Sequence, residues 1–316
     1  MAKIPTVDLS RDGSKAVDIL GRALEDIGFV FLRSPENRQV MGPAYEQFRR
    51  VFTLPTAVKE QYAHPEIFYQ RGWTPNFKEL GLACRRMGPK KEDHPDAKEC
   101  WGMGPDLMAG NRTKELCPNF YPANVWPKEV PEFQPAMNTL YCNLYFTGLN
   151  AFGLLEKYMG LKPDYFRTLT HDAPHFMRAI HYPPVTAEEA AKVQWGCKHT
   201  DINFLTVLPV STRSGLWVRC HDGSWVPGRP DEDCVIVQVG DMLQHHTAGR
   251  FRSAVHEVRA PKEGTNEGRL SAALFIHARP DTVLNPEPKG GRFPSITAGD
   301  YLIKRLAAIG LASTRY

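Results

Sequence analysis

His199, Thr200 and Asp201 put an imidazole and a carboxylate two residues apart. On a strand, residues two apart face the same side, roughly 6–7 Å from one another, so both can reach a single ion. His256, in the run Phe251-Arg252-Ser253-Ala254-Val255-His256-Glu257-Val258, can bring a second imidazole from a neighbouring strand. Two imidazoles and one carboxylate on one face of a metal leave the opposite positions open, which lets a ferrous centre admit an organic ligand and dioxygen. The H-x-D pair alone is a weak signal in a chain with 11 histidines. Arg269 and Ser271 strengthen it, because they too stand two apart, in an apolar run that continues to His277. A guanidinium fork beside a hydroxyl is a receptor for a carboxylate. Tyr182, ahead of Pro183, adds a phenol. By the same period of two, Arg178 falls on the Tyr182 face and is placed to bind a substrate carboxylate. Asn203 and Phe275 share faces with Asp201 and Ser271 and are expected to line the pocket. Cys197, His245 and His246 lie near the motif but not at ligand spacing, and read as supporting residues.

Taken in order, these pieces resemble the iron- and 2-oxoglutarate-dependent dioxygenase superfamily, specifically its isopenicillin-N-synthase-like branch. That branch reads Y-P, H-[TE]-D, G-D, S-x-x-H-[RE]-V and R-x-S. The corresponding residues here are Tyr182-Pro183, His199-Thr200-Asp201, Gly240-Asp241, Ser253 through Val258, and Arg269-Leu270-Ser271. The likeness runs along nearly the whole chain. It includes Ile4 to Leu9, Gly28 to Leu32, Phe52-Thr53-Leu54-Pro55 with Lys59, Asp96-Ala97-Lys98-Glu99, and Asn124 to Pro127 with Pro131-Glu132-Phe133. One departure is Ile180, which stands where the family's N-x-Y pattern has asparagine, so an accessory hydrogen bond is missing.

The resemblance implies Fe(II) held by His199, Asp201 and His256, with 2-oxoglutarate as co-substrate and O2 as oxidant. The keto acid would chelate iron through its 2-oxo group and C1 carboxylate, and its C5 carboxylate would meet Arg269, Ser271 and Tyr182. The charges of the ferrous ion, Asp201, the dianionic keto acid and Arg269 then cancel, as a buried pocket requires. Succinate and CO2 would be released as an unactivated C–H bond of a small molecule is oxidised. Hydroxylation, desaturation and oxidative cyclisation all remain open, and the substrate is expected to be an amino-acid-like or specialised metabolite. Tyr69, Trp73, Arg85 and Arg86 would flank the substrate entrance. Two other readings use the same fold: an isopenicillin-N-synthase-type oxidase that takes no keto acid, and a non-enzymatic small-molecule sensor.

The elements that must position these residues are legible in outline. From 174 to 280 the chain is a series of short β-branched runs broken by turns: Phe204–Pro209, Leu216–Arg219, Cys234–Val239, Ala254–Val258 and Leu270–His277. This spacing indicates a sandwich or barrel. Asp222-Gly223 supplies a hairpin turn, since it tolerates positive φ, and Gly240-Asp241 reads as a second tight turn. Residues 1–170 are mostly helical, with apolar positions at helical spacing over 14–27, 36–53 and 131–160, and a last helix covers 296–311. The expected fold is α+β with a predominantly β core, a double-stranded β-helix (jelly roll) with helices packed on one side. All 316 residues are expected to form one domain around a small-molecule cavity.

Composition narrows the partners. A net charge of +4 with dispersed basic residues argues against nucleic-acid binding. No run of 18 apolar residues and no signal-peptide pattern occurs, so neither a membrane nor a secreted location is expected. Seven scattered cysteines without C-x-x-C spacing suit reduced thiols in the cytoplasm, where ferrous iron also survives. A monomer or homodimer is expected, with the C-terminal helix covering the barrel or a dimer face.

Overall fold

The computed structural model describes residues 3–8, 13–76, 96–106, 111–190, 192–285 and 291–308. In chain order the strands are β1 (Thr6–Val7), β2 (Phe29–Arg33), β3 (Gly72–Thr74), β4 (Glu99–Met103), β5 (Phe176–Tyr182) and β6 (Gly196–His199). They continue with β7 (Leu205–Pro209), β8 (Leu216–Arg219), β9 (Trp225–Pro227), β10 (Cys234–Val239), β11 (His256–Val258) and β12 (Arg269–Ile276). An eight-stranded sheet runs β1-β2-β10-β7-β12-β5-β4-β3, and a four-stranded sheet runs β6-β11-β8-β9. The two sheets form the double-stranded β-helix, and helices cover the outer face of the larger one.

Alternation along the strands generates the two layers. On β5, Met177 and Ala179 join a core with the helices, while Ile180 and Tyr182 join a second core between the sheets. On β12, Leu270, Ala272, Leu274 and Ile276 face the helices, and Ala273 faces inward. The opposing small sheet contributes Leu216, Val218 and Val258 to that inner core. The helical layer rests on the long helix Phe133–Met159, whose Leu140, Leu144 and Leu155 are wholly buried. Full burial of each such side chain stabilises by about 1.5–3 kcal/mol. Gly160, at φ 69°, ends this helix in a left-handed turn that L-residues resist.

A buried ionic knot ties the helical side to the sheet. Glu99 on β4 accepts hydrogen bonds from Lys59 Nζ and Trp73 Nε1, each at 2.7 Å, and lies 2.8 Å from His181 Nδ1. Lys59 Nζ also donates to Phe52 O at 2.9 Å. This explains Lys59 and Glu99 as joints between elements. It also corrects the expectation for Trp73, which is 4 % exposed and belongs to the core rather than to a substrate entrance. Arg85 and Arg86 lie outside the described residues.

The turn at Asp222-Gly223 closes the β8–β9 hairpin as expected, with Gly223 at φ 87° and Asp222 accepting the Ser224 N–H at 2.9 Å. Gly240-Asp241 differs: it opens a short helix, Asp241–His246, instead of closing a hairpin. The reason is the company it keeps. Gly240 N–H donates to Phe204 O, and Asp241 N–H donates to Asp201 O at 2.7 Å, so β10 ends by gripping the loop after β6. A Cβ on Gly240 would fall 2.0 Å from the carbonyl oxygen of Asn203, a backbone atom that cannot swing away. Gly240→Ala is therefore expected to lower the unfolding free energy by about 1–3 kcal/mol or more, measured by urea denaturation; an alanine variant as stable as the parent would show that this close approach is not a constraint.

Candidate metal centre and active site

The antiparallel register of β6 and β11 sets His199 directly opposite His256. Their ring centroids are 4.2 Å apart. Each ring is oriented by its own strand: His199 Nδ1 lies 2.7 Å from Cys197 O, and His256 Nδ1 lies 3.2 Å from Ala254 O. A carbonyl can only accept, so each Nδ1 carries the proton and each Nε2 lone pair is presented to the same space. Asp201 meets them there, with Oδ1 at 3.7 Å from His199 Nε2 and 3.8 Å from His256 Nε2. The ligand atoms of the three residues all lie within 4.8 Å of one another.

The route differs from the expected one. β6 ends at His199, and Asp201 sits beyond it at the entry to a bend over 202–204, so the period-2 argument fails after His199. Asp201 is placed instead by what its other oxygen accepts. Oδ2 takes hydrogen bonds from Thr206 Oγ1 at 2.5 Å and from Gln238 Nε2, which leaves Oδ1 facing the imidazoles. The same bend corrects Asn203. It is fully buried, and its amide is spent on Leu205 O at 2.5 Å and Thr206 Oγ1 at 3.1 Å, so it supports Thr206 and does not line a pocket. Sequence reasoning passed over Thr206, Gln238 and Asp96, whose Oδ1 holds the Cys197 N–H at 2.7 Å. Inward parity on β7 and β10 was the available signal for the first two.

Register then assembles the floor. One row across the large sheet runs Phe29, Gln238, Thr206, Phe275, Phe176. Phe29 touches His256 edge-on at 5.7 Å, and Phe275 and Phe176 stack at 6.1 Å. The carboxylate supports and the aromatic platform thus share a row. Arg178, two residues along β5, stands with its guanidinium 5.0 Å from the Phe176 ring and is flanked by Gly102 and Ala273. A Cβ on Gly102 would lie 2.8 Å from Phe176, so glycine keeps this end open.

Arg269 and Tyr182 pair at the other end of β12 and β5, with the guanidinium 4.8 Å from the phenol ring centre. Phe275 stands six positions on from Arg269, roughly 20 Å of strand, and Ser271 lies between them on the same face. Arg269 is 3 % exposed. Its Nε donates to Arg213 O at 3.1 Å, whereas Nη1 has no partner. An orphaned, buried guanidinium nitrogen is costly unless an anion meets it. Burial also pushes the Tyr182 phenol up, so it stays protonated and able to donate. The donor set of two imidazoles and one carboxylate fits Fe(II), and the orphaned cation fits a carboxylate ligand.

Burial depresses His256 to about 4, reinforced by His199 and opposed by Asp201, so its Nε2 is free of a proton near neutrality. His245 and His246 are structural: Nε2 of His245 lies 2.6 Å from Pro294 O, and that of His246 lies 2.8 Å from Tyr165 Oη.

Comparison with known proteins agrees with this geometry. Residues 173–278 match the family described as the 2OG-Fe(II) oxygenase superfamily, and residues 4–129 match the non-haem dioxygenase in morphine synthesis N-terminal family. The chain is 30% identical over 271 residues to proline hydroxylase buaE of Petromyces alliaceus, covering 82% of this chain and 80% of that one. It is 26% identical over 321 residues to validamycin A dioxygenase of Streptomyces hygroscopicus subsp. limoneus, covering 96% and 85% respectively. A 2OG-Fe(II) oxygenase family protein of known structure from Caulobacter crescentus superposes with a TM-score of 0.83 at 30% identity, over 98% of this chain and 100% of that one.

Two further buried imidazoles give the protein an acid limit. His277 is lowered by burial to about 4, and His175 by burial and by His277 to about 3. Nδ1 of His175 accepts the His277 N–H at 3.2 Å, which fixes its neutral tautomer. Both are depressed below the unfolded value of 6.5. The unfolded chain therefore binds more protons as pH falls below that value, and stability is lost progressively toward pH 4. Metal-free protein is expected to lose up to about 1.4 kcal/mol per pH unit for each such histidine in urea titrations between pH 6.5 and 4. His277→Gln should flatten that slope, and an unchanged slope would mean that His277 titrates normally.

Proposed function

Because the chain belongs to the 2OG-Fe(II) oxygenase superfamily and is a 2-oxoglutarate-dependent dioxygenase that acts on a small molecule, we propose that His199, Asp201 and His256 hold its iron. We further propose that Arg269, Ser271 and Tyr182 hold the keto acid, and that Arg178 and Phe275 bind the substrate. The observation that carries this reading is the convergence of His199 Nε2, His256 Nε2 and Asp201 Oδ1. Bound Fe(II) supplies the coupling of 2-oxoglutarate decarboxylation, which yields succinate and CO2, to oxidation of an unactivated C–H bond.

The protein's part is binding, orientation and charge. Asp201 stays aimed because Thr206 and Gln238 hold its second oxygen. Arg269 meets the C5 carboxylate of the keto acid in a pocket where no other anion is offered to its Nη1 among the described residues. Tyr182 and Ser271 then supply neutral donors beside that charge. The two ends of the β5–β12 floor divide the work. The Arg269 end takes the keto acid, and the Phe275 end, in the row of Thr206 and Gln238, presents the substrate near the metal. Arg178 there favours a substrate carrying a carboxylate or similar anion, and the stacked Phe176–Phe275 pair favours a planar or compact apolar body. Such a ligand fits an amino-acid-like or specialised metabolite.

Among the described residues no helix is long and apolar enough to cross a membrane. Cys117, Cys142, Cys220 and Cys234 carry thiols outside any disulfide. The reduced thiols support a cytoplasmic enzyme, which we read as a monomer or homodimer.

The test is succinate release with Fe(II), 2-oxoglutarate and a panel of small carboxylated metabolites. Arg269→Gln should raise the KM for 2-oxoglutarate by roughly 30-fold or more, the equivalent of about 2 kcal/mol for stranding one partner of a buried charge pair. Metal binding should be unchanged in that variant. Arg178→Leu should raise the substrate KM while leaving substrate-free consumption of 2-oxoglutarate at its parental rate. An Arg269→Gln enzyme with a parental KM for the keto acid would remove Arg269 from the proposed pocket.

A further inference from the structure

The C-terminal helix Ala298–Ala308 lies outside both matched family segments, yet it meets Asp241, which grips the segment holding two of the proposed metal ligands. Leu302 enters the main core, Tyr301 sits 5.3 Å from the His245 ring, and Arg305, 8 % exposed, bonds through Nη2 to Asp241 Oδ2. Asp241 is 5 % exposed, and Arg305 is its ion-pair partner among the described residues. The same Oδ2 accepts from Thr200 Oγ1 at 3.3 Å, and Thr200 is the residue between His199 and Asp201. The Asp241 main chain grips the loop as well, its N–H donating to Asp201 O at 2.7 Å. Met242 N–H, next in the chain, donates to Ile202 O at 3.0 Å and Asn203 O at 3.1 Å.

We propose that Arg305 is a positioning residue for the metal centre, acting through Asp241 and Thr200 to hold His199 and Asp201 at ligating separation. The proposal rests on the reading of His199, Asp201 and His256 as the iron ligands. Its physical basis is the cost of an unpaired buried charge: a carboxylate as enclosed as Asp241 keeps its place only while a cation faces it. Without Arg305, the carboxylate must turn toward water or recruit another partner. Either movement releases the Thr200 hydroxyl and loosens the Asp241 N–H on Asp201 O. The two ligands before and after Thr200 then lose preorganisation, and the loss appears as weaker metal binding. A helix that merely covered the barrel would affect unfolding but not the affinity of the folded protein for an ion.

The measurement is an anaerobic titration of metal-free, full-length protein with Co(II), read from the ligand-field absorption of the bound ion. The parent should bind one Co(II), and His256→Ala should abolish that signal. Arg305→Gln should weaken Co(II) binding by about 10- to 100-fold, the usual consequence of losing a partner that orients a ligand. Arg305→Lys, which keeps the charge, should recover part of the loss. A folded Arg305→Gln protein whose Kd lies within twofold of the parent would overturn the role of Arg305 while leaving the metal site intact. A parent without a His256-dependent Co(II) signal would instead overturn the metal reading itself, and this proposal with it. If Arg305→Gln does not fold, Asp241→Asn/Arg305→Gln strands no charge and takes its place, with at least a fivefold loss of affinity expected and parental affinity overturning the proposal.

Discussion

The site depends on one buried carboxylate, held by one oxygen and aimed with the other. Asp201 is 7 % exposed, and its charge is tolerable only because Thr206 and Gln238 hydrogen-bond Oδ2. That commitment is also what aims Oδ1 at the two imidazoles. An ionised side chain free to rotate could satisfy itself with any neighbouring donor. Held from behind by two inward residues of adjacent strands, it has one direction left.

The supports belong to the large sheet and the imidazoles to the small one, so the candidate metal centre lies where the two layers face each other. The consequence is geometric economy. Thr206 and Gln238 stand in the same row as Phe275 and Phe176, so the register that fixes Asp201 also fixes the platform beside it. The same two strands, followed the other way, reach Arg269 and Tyr182. A single ladder of backbone hydrogen bonds therefore sets the distances among three groups of side chains, and no loop has to be invoked for any of them. Sites carried on paired strands in this way vary less in position than sites on loops.

Outside that ladder, ionic contacts knit together what the sheets leave separate. Glu99 collects Lys59, Trp73 and His181 on the helical face, while Asp241 collects Thr200 and Arg305 at the end of the barrel. Asp96 joins Lys98 to the Cys197 N–H behind His199. In each case a buried carboxylate takes donors from elements far apart in the chain. Removing one donor strands the charge, so these knots bind the architecture more tightly than their number suggests.

The amino-acid sequence by itself determined which side chains gather and in what order. The H-x-D pair, the distant His256 and the R-x-S pair are chemically distinctive, and strand alternation put Arg269, Ser271, Tyr182, Arg178 and Phe275 on inward faces that the structure retains. Alternation is local, set by the geometry of one strand, and so it can be read without coordinates. It failed where the strand stopped. Past His199 the chain bends, and the expectation for Asn203 was lost because a period of two has no meaning in a bend. Trp73 failed for a related reason, since an indole beside irregular sequence can equally line a cleft or donate to a buried carboxylate 26 residues away in the chain. Asp96 and Arg305 carried no mark of a role at the site, and Thr206 and Gln238 only their inward parity. Their importance comes from the partner each one meets, and only the packing of two sheets and a closing helix decided those meetings.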